Sequence, residues 1–357
     1  MDPGAVRKYL FFISQNYSYA ILRPLQQEIL RRGDTAAWFL WGNEVNASYL
    51  KEDELQLVTV DEVKAFQPDA VFVPGNTVPR FFPGVKVAVF HGFNAGKINR
   101  RGLNDHFNIR QCFDLYCTQG PDTTQTFEKL AKQHGYFNVV ETGWPTLDPL
   151  FKSVESENQS LNIKSDKKTV LMCSTFSRNL TCAPHLFEQV KKLSAMGRWR
   201  WLVQFHPKMP KQIVEQYKSL ESEHLTFVET DNVLPLLTQA DVMLCDTSSV
   251  IQMFLVQNKP VVTFNNIEPQ PYMVNFTESE LLEEKLAYAL QFPTSLQNSV
   301  SDYIEQLHPY RDGQSSTRVL EAVEQVLQGK LTTEKNKPLN LLRNFKLRKK
   351  LKYWKFS

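Results

Sequence analysis

Short, continuous apolar runs alternate along this chain with longer segments whose apolar residues recur every three or four positions. Lys8 to Ile13 reads as a strand, Ala20 to Arg32 as an amphipathic helix closed by Gly33, and Ala36 to Leu40 as a second strand. Asp61 to Phe66 is helical. Ala70 to Val73 is an apolar strand ending at Pro74-Gly75, and Val85 to Phe90 is another that runs into His91-Gly92. Leu115 to Thr118 follows, then a well-signalled helix from Asp122 to Gly135, then Val139-Val140 leading into Thr142-Gly143-Trp144-Pro145. This rhythm predicts a parallel sheet with helices on both faces.

Residues 152–168 break the rhythm: they are polar, Ser-rich and without period, as a linker is. The alternation then restarts. Strands are predicted at Thr169–Cys173, Trp199–Phe205, Leu225–Val228, Val242–Cys245 and Pro260–Phe264, with helices at His185–Met196, Lys211–Ser222, Val233–Gln239, Leu281–Leu290 and Thr317–Leu327. The economical reading is α/β: two Rossmann-like, doubly wound domains facing a central cleft, residues 1–151 and 169–329, followed by a tail at 330–357.

The length of 357 residues suits two domains, and 42% hydrophobic with 22% charged residues describes an ordinary globular chain. No apolar run approaches the roughly 20 residues of a membrane span. Tyr9 to Ile13 is too short for a signal-peptide core. The five cysteines are an odd number without metal-type spacing, several within apolar runs, and read as reduced core residues of a cytoplasmic protein. The net charge of +3 conceals an asymmetry. From Lys330 to Ser357 there are ten Lys and Arg against one Glu; the other 329 residues carry 31 basic and 37 acidic side chains. The folded body is therefore acidic, which argues against nucleic acid as a partner.

Polar groups gather where strands end. After Val242–Cys245 come Asp246, Thr247, Ser248 and Ser249, types that begin helices, and a helix start offers backbone N–H groups to an anion. At the carboxyl end of a parallel strand this is where open α/β sheets hold ligands. His91 and His206 each follow an apolar run, with Lys97 and Lys208 soon after; an imidazole there can move a proton near neutral pH. Tyr310 to Ser316 opens the last strong helix and contributes Arg311. There is no metal constellation, no G-x-x-x-x-G-K-[ST] loop, no G-x-G-x-x-G after the first strand and no G-x-S-x-G elbow.

Together these segments resemble the CDP-glycerol glycerophosphotransferase family, the teichoic-acid type of polymerases and primases. The resemblance rests on His91-Gly92 followed by Lys97, on Thr142-Gly143-Trp144-Pro145-Thr146-Leu147-Asp148, on His206-Pro207, on residues 240–262 and on Asp312-Gly313-Gln314-Ser315-Ser316-Thr317-Arg318. It implies a GT-B fold and an EC 2.7.8-type phosphotransferase: an acceptor hydroxyl attacks the β-phosphate of CDP-glycerol, CMP leaves, and a phosphodiester forms. His91 would be the general base, with Gly92 and Lys97 on the acceptor side. His206 would contact the donor pyrophosphate, alongside Asp246, Thr247, Ser248 and Ser249, and Ser174, Thr175, Arg178 and Arg311 are expected as further phosphate contacts. No metal or cofactor is expected, since positive side chains and helix dipoles can neutralise the charge. The segment from His91 to Lys97 is one residue longer than the family pattern, and Gln252 or Met253 stands where an acidic residue is usual. These departures leave the transferred polyol open. A nucleotide-sugar glycosyltransferase of the same fold and a non-catalytic nucleotide-binding member are the rival readings.

The tail interleaves Arg343, Lys346, Arg348, Lys349, Lys350, Lys352 and Lys355 with Leu342, Phe345, Leu347, Leu351, Tyr353, Trp354 and Phe356. That composition suits an interfacial anchor on an anionic membrane, the inner face of the cell membrane, where a glycan or lipid-linked acceptor would be met. The alternative is a solubilising tail without structure.

Overall fold

The computed structural model describes residues 6–94, 102, 104–152, 167–230 and 232–355. They divide into two units, Met1–Phe151 with Leu307–Ser357, and Lys152–Gln306.

The first unit is built on seven parallel strands: β1 (Lys8–Ile13), β2 (Thr35–Leu40), β3 (Leu55–Leu57), β4 (Ala70–Val73), β5 (Val85–Ala88), β6 (Leu115–Thr118) and β7 (Asn138–Glu141). Their order is β3-β2-β1-β4-β5-β6-β7, so the direction of winding reverses between β1 and β4. Helices α1 (Tyr17–Arg31), α2 (Val60–Phe66), α3 (Pro121–His134) and α4 (Asp148–Phe151) connect or follow them. β1 is central, paired with β2 through Phe11↔Trp38 and with β4 through Phe11↔Phe72, and these three rings are fully buried. A strand covered on both faces has no reason to alternate, hence the unbroken apolar runs.

The second unit has six parallel strands: β8 (Thr169–Ser174), β9 (Arg200–Phe205), β10 (Leu225–Phe227), β11 (Val242–Cys245), β12 (Val261–Phe264) and β13 (Val274–Phe276), in the order β10-β9-β8-β11-β12-β13. Winding reverses between β8 and β11. Its helices are α5 (Ala183–Ala195), α6 (Lys211–Lys218), α7 (Leu234–Gln239), α8 (Val250–Leu255), α9 (Leu282–Gln291) and α10 (Thr294–Leu307). Leu186, Val190, Trp201, Tyr217, Leu244 and Leu286 lie in its core. All five cysteines are buried and none is in a disulfide.

The chain's last part corrects the expected domain bounds. Helix α11 (Ser315–Leu327), read from the sequence as the end of the second domain, belongs to the first unit, where it packs on α1. The reason is a set of long-range bonds. Both oxygens of buried Asp148 accept backbone N–H groups at the start of α11, from Ser315 and Ser316, each at 2.8 Å. Arg318 Nε donates to the Thr142 carbonyl at 2.8 Å, and the Thr317 hydroxyl donates to Glu28 of α1 at 3.1 Å. Gly143 has φ +76°, and a Cβ there would stand 2.5 Å from Ser315 Oγ, so glycine is required twice over. The tail is not a structureless extension either: it forms α12 (Leu341–Lys350), with Leu347 and Tyr353 buried against the first unit.

Candidate active site

In an open parallel sheet the loops leaving the strands' carboxyl ends part where winding reverses, and ligands bind there. In the second unit that point lies between Ser174, the last residue of β8, and Asp246, the first after β11. Asp246 is fully buried. Its Oδ2 accepts from Ser174 Oγ at 2.7 Å and from the backbone N–H groups of Thr175 and Cys182 at 3.0 Å each. Ser174 is buried too, with its Oγ also 2.9 Å from Thr181 Oγ1. These two expected phosphate contacts therefore have another job: they knit the β8–α5 loop to the end of β11. A bare carboxylate would repel a phosphate; this one is turned inward and satisfied by N–H and O–H donors. Its charge, with burial, pushes the Cys173 thiol up to about 12, chiefly through burial, so that sulfur stays protonated.

The remaining predicted groups of this loop pair face outward. Ser249 and Arg178 are exposed, and Thr175, Thr247 and Ser248 are partly so. Thr247 Oγ1 accepts the Ile267 N–H at 3.2 Å, and Asn266 Nδ2 donates to the Asp246 carbonyl at 2.8 Å, which fixes the loop after β12 beside them. Ser249 precedes α8 but makes no side-chain cap, and Ser248 Oγ reaches the Val250 N–H only at 3.5 Å. Contrast Thr59 at α2, whose hydroxyl closes a full capping box with Glu62. The serine hydroxyls are thus not spent on holding their helix.

His206 stands one residue beyond β9, beside these loops in the sheet order, with its ring 4.5 Å from that of Phe176 in the β8–α5 loop. The Lys208 backbone N–H donates to His206 Nδ1 at 3.1 Å. A ring nitrogen that accepts is unprotonated, so in the neutral ring the proton sits on Nε2, which presents an N–H outward. Burial first, and Lys208 second, lower the His206 pKa, so that neutral form holds at neutral pH. Beside it a cavity of about 450 Å³ is lined by Phe205, Pro207, Val214, Phe227 and Val228, with His206, Glu229 and Thr230 as its polar groups. Phe176 was not singled out from the sequence; its place between Thr175 and Arg178 in a strand-end loop was the available signal.

In the first unit the reversal lies between β1 and β4. His91 follows β5, the neighbour of β4, and Phe90 before it has φ +58°, a left-handed backbone that is costly for a bulky residue. Phe90 is held there by packing on His106, Tyr116 and Phe127. Exposed His91 lies beside the end of β4, where its Nδ1 donates to the Pro74 carbonyl at 3.0 Å. A carbonyl only accepts, so Nδ1 carries a proton, and in the neutral ring Nε2 has the lone pair. The two histidines are therefore fixed in opposite tautomers: His91 offers a base, His206 a donor. Tyr17, at the start of α1, sets its ring 5.8 Å from that of His91. The Gly92 carbonyl accepts from Gln119 Nε2 at 3.1 Å, and a Cβ at Gly92 would meet nothing within 4 Å. Lys97 lies outside the described residues.

Arg311 is exposed on the returning segment of the first unit, between Tyr310, whose hydroxyl donates to Glu141 at 2.9 Å, and Asp312, which pairs with Arg318 at 2.8 Å. It belongs to the first unit, not to the second as the expected domain bounds have it. The motifs at 142–148 and 312–318, which carry part of the family resemblance, bind the returning chain to the first unit.

Residues 106–272 match the family model described as CDP-Glycerol:Poly(glycerophosphate) glycerophosphotransferase. The match contains His206 and Asp246–Ser249; His91, Lys97 and Arg311 lie outside it. No curated protein matches the sequence. Among solved structures the chain is similar to the wall teichoic acid polymerase TagF, at 16% identity over 91% of this chain and 90% of that one, with a TM-score of 0.61. It is equally similar to Staphylococcus aureus MnaA solved with UDP (17%, 90% and 97%, 0.62) and to the UDP-GlcNAc 2-epimerase of Neisseria meningitidis (14%, 89% and 100%, 0.62). These likenesses establish the fold, two Rossmann-like parallel-sheet units of the GT-B type. The family match adds support for a transferase of the glycerophosphotransferase kind.

Proposed function

We propose that this chain transfers a glycerol-phosphate or related polyol-phosphate group from a CDP-activated donor to a hydroxyl of a glycan or lipid-linked acceptor on the cytoplasmic face of the membrane. The second unit holds the donor. Its pyrophosphate takes the Nε2–H of His206, the hydroxyls of Ser248 and Ser249 and the N–H groups around them, with Thr175 and Arg178 at the margin. The cavity beside His206 is large enough for a pyrimidine: apolar walls for the ring faces, Glu229 and Thr230 for its polar edge. His91 Nε2 removes the proton from the acceptor hydroxyl as its oxygen attacks the β-phosphorus; the bond to the bridging oxygen breaks and CMP departs. Donor groups around the departing phosphate offset its charge, and the Pro74 carbonyl holds the His91 ring in one orientation.

The observation that carries this reading is the pair of opposite tautomers, each set by a backbone group. Fold alone does not choose between a transferase and an epimerase, since both kinds are similar to this chain. Calorimetry of the full chain with CDP-glycerol, CDP and UDP-GlcNAc separates them: cytidine ligands should bind at least tenfold tighter. Preference for the uridine ligand would favour nucleotide-sugar chemistry instead.

A further inference from the structure

The docked tail presents a surface that the reaction does not use. From Leu341 to Lys355 there are seven Lys and Arg and no acidic residue. One side of this segment is committed to the first unit. Leu347 is buried; the Tyr353 ring stacks on Phe81 at 5.4 Å; the Arg348 guanidinium lies 4.7 Å over Phe81; Arg343 donates to Cys112 Sγ at 3.1 Å; and Lys355 pairs with Asp61 at 2.7 Å. Upstream, Lys337 pairs with Asp114 at 2.6 Å, and Arg80 donates to the Lys337 and Pro338 carbonyls.

The other side is apolar and open. Leu341 is 71% exposed, Leu342 79%, Phe345 57% and Trp354 48%, and Phe345 and Trp354 touch edge to face at 5.4 Å. Leu341, Leu342 and Phe345 share one helix face at three- and four-residue spacing. Exposed Lys346, Lys349 and Lys352 accompany them. Four large apolar side chains exposed together on a cationic helix and the turn after it mark an interaction surface of matching character. Among the described residues no helix is long and apolar enough to cross a membrane.

We infer that α12 is a fixed membrane-binding platform: clamped to the first unit by Leu347, Arg348 and Tyr353, it lays Leu341, Leu342, Phe345 and Trp354 into the headgroup–acyl boundary of an anionic bilayer while its lysines meet lipid phosphates. Charge selects this occupant, because a stripe that is all basic fits a continuous anionic surface. The inference concerns binding alone and stands whether or not the proposed reaction is correct.

Flotation of the full chain with phosphatidylcholine vesicles, with and without 30% phosphatidylglycerol, tests it. The protein should float with the anionic vesicles only, and less as salt rises. L342S/F345S should lose that binding with an unchanged melting temperature, since both side chains face away from the body. K346A/K349A/K352A should weaken partition roughly a hundredfold, at about fivefold per lysine. Amide exchange of residues 343–350 should stay protected both free and vesicle-bound. Equal flotation with neutral vesicles, or undiminished binding by L342S/F345S, would overturn the inference. Loss of protection on binding would overturn the clamped arrangement, and concentration-dependent dimers abolished by L342S/F345S, without flotation, would replace the bilayer with a second copy of the chain.

Discussion

Asp148 caps Ser315 across 167 positions of sequence: its Oδ1 takes the Ser315 N–H at 2.8 Å at the first turn of α11. The last helix of the body thereby belongs to the first sheet. Orphan N–H groups at a helix start are usually met by the residue just before it; here Gln314 makes no such bond, and a buried carboxylate from another helix does the work.

Asp148→Ala should accordingly destabilise the protein by about 2 kcal/mol, the cost of a lost charged cap plus buried, unmet donors. Urea unfolding checks it. A change of only a few tenths would mean that water replaces the carboxylate and that the returning segment is held by its apolar contacts alone.

The same junction carries an acid response. Fully buried His308 accepts the Trp144 N–H on Nε2 at 2.9 Å, and burial holds its pKa down at about 4 against an ordinary 6.5. Below pH 6.5 the unfolded chain takes up a proton that the folded chain refuses, so stability should fall between pH 6.5 and 4 by up to ~1.4 kcal/mol per pH unit from this group. His308→Gln keeps an acceptor without the titration. Its stability–pH curve should be flatter across that interval; identical slopes would remove His308 as the cause.

Lys86 gives a slope of the same sign on the alkaline side. Its ammonium is buried under the segment containing Lys337, and burial, with Lys337 second, lowers its pKa to about 7 from 10.5. Between those values the unfolded chain holds the extra proton, so the folded state gains stability as pH rises from 7. The difference between wild type and Lys86→Met should shrink steadily from pH 7 to 9.5. A constant difference would show that Lys86 keeps its charge.

Much of this architecture can be read from the chain itself. Central strands such as Leu10–Ile13 and Val242–Cys245 are buried on both faces, so their apolar runs announce them. Leu55-Gln56-Leu57 and Val274-Asn275-Phe276 were not anticipated, because three residues at a sheet edge carry too little pattern. Helix α10 was hidden by its polar composition. The assignment of α11 to the first unit depends on Asp148, a contact no local window contains. Asp246 shows a different limit: the residue type that reads as an outward phosphate contact or cap is also the type that satisfies buried N–H groups. Nor does a sequence say which nitrogen of His91 or His206 bears the proton; only Pro74 and Lys208, brought alongside by the fold, decide that.

The His206 tautomer makes its own prediction. Because Nε2–H is the working group, His206→Gln, whose amide extends a donor to about the same reach, should retain more donor affinity than His206→Ala. The alanine variant should lose ten- to a hundredfold in KM for the donor, the range of a hydrogen bond to a charged group. Equal losses in the two variants would argue that ring packing on Phe176, not donation, is what matters.

The most direct measurement is turnover itself, with CDP-glycerol bearing labelled glycerol, the full chain and a membrane-derived glycolipid acceptor. Wild-type protein should release CMP in step with label appearing in a phosphodiester. His91→Ala should bind the donor as wild type does while losing at least a hundredfold in kcat. Transfer at near-normal rate by His91→Ala, or wild-type protein that binds cytidine nucleotides and never releases CMP, would contradict the account.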